Sequence, residues 1–148
     1  MPATTTGLPE TAPARSAASA IPVPGPMVHA ALRVGAGLLF MQHGAQKLFG
    51  LLGGIDGNGA SAELFSQYGL AGALELFGGA LIVAGLFTRP VAAGLALLMV
   101  VAYFVGHGHQ GGFPIQSGGE LALLYALVFA FLAGNGAGAW SLDRRRAA

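Results

Sequence analysis

Apolar positions along this chain gather into four long runs, separated by short polar or glycine-rich breaks. The runs cover residues 28–49, 71–87, 91–106 and 120–134. A hydrocarbon core about 30 Å thick takes roughly 20 helical residues to cross, with about 17 as the lower limit. The third and fourth runs are a little short alone and come within range with Tyr103, His107 and the Trp140 flank. Inside lipid the backbone has no water to bond, so each run is expected as a helix. The pattern predicts an all-α integral membrane protein, an up-down bundle of four transmembrane helices. A soluble all-α core is the competing reading, and few charges interrupt the runs to support it.

The breaks set the order of the bundle. Thr88-Arg89-Pro90 is so short that the second and third helices form a tight antiparallel hairpin, with Pro90 suited to a first helical turn. The links over residues 50–69 and 108–119 are longer and rich in glycine. Residues 1–26 are rich in Ala, Thr, Ser and Pro, without aromatics or helical periodicity. Such a segment buries too little apolar surface to order itself, and it lacks the basic-then-apolar pattern of a secretion leader. It is expected as a disordered tail, followed by a membrane domain over 27–143 and a basic tail over 144–148.

Four crossings place both termini on one side. Arg15, Arg33, Arg89 and Arg144-Arg145-Arg146 fall on that side, and the two longer links contain neither Lys nor Arg. The positive-inside rule then puts both termini in the cytoplasm, reads Arg33 and Arg89 as topology determinants, and makes Trp140 an interfacial anchor.

Composition agrees with this and narrows the chemistry. Of 148 residues 54% are hydrophobic and 9% charged, where a soluble domain carries about a quarter charged. The length gives room for one compact unit, and a net charge of +1 points to no nucleic-acid partner. There is no cysteine, so the chain itself forms no disulfide, performs no thiol chemistry and holds no thiolate-bound zinc or iron–sulfur cluster. Any redox reaction needs a bound cofactor or a partner.

Ionisable side chains within a membrane span are costly and usually functional. With the topology above, His43 and Lys47 on the first helix, Glu75 on the second, Tyr103 and His107 on the third and Glu120 on the fourth all lie toward the outer leaflet. His43 and Lys47 are four apart and share a face, as do Tyr103 and His107. Glu75 shares a face with Gly78 and Gly79, small residues that let a neighbouring backbone approach. A bundle packed on these faces gathers His43, Lys47, Glu75, His107 and Glu120 into one pocket. Two carboxylates and one ammonium there predict that Lys47 pairs with one Glu, and that the other holds a proton or meets a protonated His. Each residue also has a plainer reading. His43 and Lys47 can snorkel, Glu75 can make a structural bond between helices, Glu120 can favour a helix N-terminus, and His107 and His109 can be interfacial loop residues. His43, His107 and His109 with a Glu would suit a metal, but His-x-His spacing is weak and no metal is assigned.

Several stretches in order carry a resemblance. They are Leu32-Arg33-Val34-Gly35; Gln42-His43-Gly44-Ala45-Gln46-Lys47-Leu48-Phe49-Gly50; Glu75-Leu76-Phe77-Gly78-Gly79; Gly85-Leu86-Phe87-Thr88-Arg89-Pro90; Gly112-Phe113-Pro114; and Gly118-Gly119-Glu120-Leu121-Ala122-Leu123-Leu124-Tyr125. Across residues 32–143 the chain resembles the DoxX family of small bacterial membrane proteins. The resemblance implies a four-helix bundle in the bacterial inner membrane, in a family linked to thiosulfate:quinone oxidoreductase, respiratory oxidases and redox-defence assemblies. The leading expectation is a subunit of a quinone-linked oxidoreductase acting on small sulfur compounds or in redox defence, beside a redox partner subunit. His43, Lys47 and Tyr103 would bind the ligand, Glu75, His107 and Glu120 would pass protons, and the quinone tail would lie beside the glycine-rich faces. A carrier of small solutes and a scaffold for soluble redox enzymes are the alternatives.

Overall fold

The structure is a computed structural model that describes residues 25–108 and 110–146. The described residues form helices and their connections: α1 (Gly25–Phe49), a 3-10 turn (Leu51–Gly53), α2 (Gln67–Ala84), α3 (Thr88–Gly106), a short α4 (Pro114–Ser117), α5 (Glu120–Asn135) and a short α6 (Leu142–Arg146). By length and composition α2 and α3 can cross a membrane, and α5 is apolar but shorter. Residues 1–24 of the expected tail lie outside the described residues, and Gly25 and Pro26 open α1.

Helix α2 starts and stops earlier than hydropathy alone predicts, because capping sets its ends. The Ser66 hydroxyl accepts from the Gly69 amide at 3.1 Å, so the helix starts at the polar Gln67 and not at Ala71. Gly85 adopts φ 65° and ψ 44°, and the amide of Leu86 returns to the Leu81 carbonyl at 3.0 Å. This left-handed closure ends the helix at Ala84, although apolar residues continue to Phe87.

Small residues join α1 to α2. A Cβ on Gly37 would lie 2.9 Å from the Gly79 carbonyl oxygen, and one on Gly44 would lie 2.6 Å from that of Gly72. Ascending positions on α1 meet descending positions on α2, so the two run antiparallel. Glycines seven apart on each helix keep the seam on one side, and the backbones touch where larger residues would hold them apart. Helix α5 packs antiparallel on α3: Arg89 donates to the Gly134 carbonyl at 2.8 Å at one end, and Gly119 abuts Tyr103 and His107 at the other. The core between the pairs is aromatic. Phe40 meets Phe129 edge-on at 4.8 Å and Tyr125 at 5.0 Å, with Ile82, Leu95 and Leu132 buried around them.

The Arg33 end of the bundle is tied by long-range hydrogen bonds. Arg33 is fully buried and donates to five carbonyls, those of Ile82, Val83, Ala137, Ala139 and Trp140, at 2.5–3.2 Å. Two of these are among the last four carbonyls of α2, which lack the usual helical partner, and three belong to the segment after α5. Arg33 is thus a structural clamp, a task its expected place in the topology did not include. Arg89 caps the end of α5 through Ala133 and Gly134, so it too has a structural task. Asp143 completes the tie. Its two carboxylate oxygens accept the amides of Phe87 and Thr88, each at 2.8 Å, and so cap α3 from 55 residues away.

Candidate binding site

The opposite end holds the ionisable residues. One turn beyond Gly44, the Lys47 side chain passes Gly72; a Cβ added there would lie 2.8 Å from Lys47 Cβ. The close α1–α2 approach therefore delivers the ammonium to Glu75, which stands between Gly72 and Gly79 on the seam. Lys47 Nζ donates to Glu75 Oε1 and forms an ion pair with it. Glu75 is 2% exposed, and its second oxygen, Oε2, has no hydrogen-bond partner among the described residues. A buried carboxylate oxygen without a donor costs at least about 1–3 kcal/mol, so it marks a place where a donor is wanted.

A cavity of about 190 Å³ lies between the helix pairs at this level. Its polar wall is His43, Lys47, Glu75 and His107, its apolar wall includes Phe40 and Met99, and Tyr125 also lines it. His43 stands edge-on to the Tyr125 ring at 5.9 Å. His107 Nδ1 lies 2.8 Å from the Ser117 carbonyl oxygen. A carbonyl only accepts, so Nδ1 carries the proton, and in the neutral ring Nε2 is left as an acceptor.

Two of the expected residues stand elsewhere. Tyr103 packs edge-on to Phe104 at 5.3 Å and against Gly119, and it is not on the cavity wall. Glu120 is exposed in the first turn of α5 and faces an open depression with Pro114 and Leu124. The periodicity that grouped Glu120 with Glu75 gave its level along the bundle but not its direction around α5. Among the described residues no three His, Asp or Glu side chains converge as a metal would need, and His109 lies outside them.

The glycine-rich faces are also occupied. Gly37, Gly44, Gly72 and Gly79 form the α1–α2 seam, and Gly78 faces Leu95 of α3. At these five positions protein atoms fill the space a tail would take, whereas Gly35 is open and lines an apolar depression. A separate, largely apolar groove of about 450 Å³ lies between α2 and α3, with Lys47 and Glu75 among its lining residues. Sequence reasoning missed two residues that set the site's frame, Arg33 as a buried clamp and Asp143 as a remote cap. Arg33 lies well inside α1, four residues before Gly37, and that depth was the available signal for the first. Nothing local marks the second.

Long apolar helices, a tied polar end and a buried ion pair beside a cavity define a helical membrane protein with an internal polar site. The chain belongs to the DoxX family, whose family model matches residues 28–108. It is 40% identical over 124 residues to an uncharacterized protein of Haemophilus influenzae, covering 81% of this chain and 91% of that one. No solved structure matches it.

Proposed function

We propose that this protein is a four-span subunit of a quinone-linked oxidoreductase of the bacterial inner membrane, with both termini cytoplasmic, and that the cavity at Lys47 and Glu75 binds a quinone head group. α1 and α5 supply the crossings beyond α2 and α3. The arginines Arg33, Arg89 and Arg144–Arg146 cluster at the end assigned to the cytoplasm, as the positive-inside rule asks.

The observation that carries the reading is the Lys47–Glu75 pair with its unpartnered Oε2 on a cavity of about 190 Å³. A space of about 150 Å³ holds a benzene ring, so this one suits a single substituted six-membered ring. The wall offers what such a ring needs when it cycles between quinone and quinol. Lys47 Nζ can donate to a carbonyl oxygen. Glu75 Oε2 and His107 Nε2 can each accept from a quinol hydroxyl. Reduction consumes two electrons and two protons per ring. The chain has no cysteine, so the electrons come from a small sulfur compound, a flavin or a partner subunit, and the cavity side chains hold and pass the protons.

The test is ligand-linked stability in detergent. A short-chain benzoquinone held at a hundredfold excess over its Kd adds about 2.7 kcal/mol to a protein that binds it only when folded. The wild type should melt several degrees higher with the quinone, and Glu75→Gln and His43→Ala should not shift. No shift in the wild type at saturating quinone contradicts the reading.

A further inference from the structure

The α2–α3 groove and the inner cavity are two spaces with a common boundary. Lys47, Glu75 and Ala102 line both. The groove's outer wall is apolar and exposed, with Leu70, Leu74, Val101 and Val105 each about half accessible. Gln67 and Tyr68 stand at its polar end, where α2 begins. In a bilayer those apolar residues face lipid chains. The groove thus runs from the hydrocarbon to the ion pair, and Lys47, Glu75 and Ala102 stand between it and the cavity.

We infer that the ligand reaches the cavity sideways from the bilayer, through the α2–α3 groove, and that the site takes a tail-bearing, membrane-soluble ring in preference to a water-soluble one. This rests on the quinone reading above. The ring would occupy the cavity against Glu75 Oε2, and the tail would lie on Leu74, Val101 and Val105. A second apolar depression, of about 350 Å³ between α1 and α5, is the rival route. It touches the cavity wall at Leu121 and Tyr125 but reaches neither Lys47 nor Glu75. Of the two depressions, the α2–α3 groove is the one that reaches both Lys47 and Glu75.

The test is photolabelling in lipid nanodiscs with a benzoquinone whose alkyl chain ends in a diazirine, followed by peptide mapping. Labels should concentrate on α2 and α3, and an excess of the same ring without a chain should suppress them. Leu74→Trp and Val101→Trp change exposed positions, so the fold tolerates them, as circular dichroism and size exclusion would check. Each should reduce labelling about tenfold while binding of the chainless ring is kept. Labels concentrated on α1 and α5, or unaffected by both tryptophans, overturn the lateral route while competition by the chainless ring leaves the quinone reading standing. Labels that no quinone competes overturn both.

Discussion

Gly44 on α1 and Gly72 on α2 touch so closely that a Cβ on Gly44 would sit 2.6 Å from the Gly72 carbonyl oxygen. The ion pair of the site stands one turn further along, between Lys47 and Glu75. Packing and chemistry are therefore coupled. A methyl group on Gly44 meets backbone, which cannot swing aside as a side chain can. Gly44→Ala should cost about 1–3 kcal/mol by overpacking and move Lys47 away from Glu75. Thermal melting in detergent reads the first effect, and loss of the quinone-induced shift reads the second. A melting point equal to wild type would show that the seam does not hold the site.

The Lys47–Glu75 pair predicts a non-additive mutant cycle. Removing Lys47 leaves the Glu75 charge buried and unpaired, which costs on the order of 3–5 kcal/mol, and removing Glu75 strands the partly buried Lys47 at a smaller cost. Lys47→Met should lower stability strongly, and Glu75→Leu less so. The double variant should recover a large part of the loss, because no lone charge remains. Chemical denaturation of the four proteins measures the coupling, and simple addition of the two losses would mean that the pair is not formed in solution.

Arg33 predicts a test of shape against charge. The guanidinium spreads its donors over five carbonyls on two segments. Lysine keeps the charge but offers three donors from one point, so it cannot reach both segments together. Arg33→Lys should lose on the order of 3 kcal/mol and expose the segment after α5 to protease. A Lys variant with wild-type stability would mean that charge alone holds this end.

Asp143 predicts a dependence on pH. Burial pushes its carboxyl up, but bonds from the Thr88 and Phe87 amides, with Arg146 nearby, outweigh this and hold it below the usual carboxylate range. A depressed folded value means that the stabilisation is present above the unfolded value, about 3.9, and is lost as pH falls through the folded one. Asp143→Ala should cost about 1 kcal/mol at neutral pH, the ordinary worth of a helix cap, and the gap to wild type should close in acid. Melting points of both proteins across that range check it; a constant gap would remove the carboxylate from the capping role.

How much of this was legible in the chain depends on whether the signal is local. The helices were, because long apolar runs act through adjacent residues; the break between α2 and α3 was placed three residues late, since the chain turns over residues 85–87 and Thr88-Arg89-Pro90 forms the first turn of α3. The ends of α2 were less so: hydropathy averages across Ser66 and Gly85, whereas a hydroxyl cap and a left-handed glycine end a helix sharply. The grouping of His43, Lys47, Glu75 and His107 at one level followed from counting residues from the breaks. Direction around the axis did not, which is why Glu120 and Tyr103 face other surfaces. The depth of Arg33 within α1 hinted at a role, but its partners and those of Asp143 were opaque, since they lie about 50 to 107 residues away and only packing brings them close.

The most direct test of the central claim needs no added ligand. The protein is purified from its native membrane in mild detergent and extracted with organic solvent, and the extract is analysed by mass spectrometry for quinone, alongside Glu75→Gln. The account predicts near-stoichiometric quinone in the wild type and its loss in the variant. A folded wild type carrying no more quinone than the surrounding lipid would contradict it.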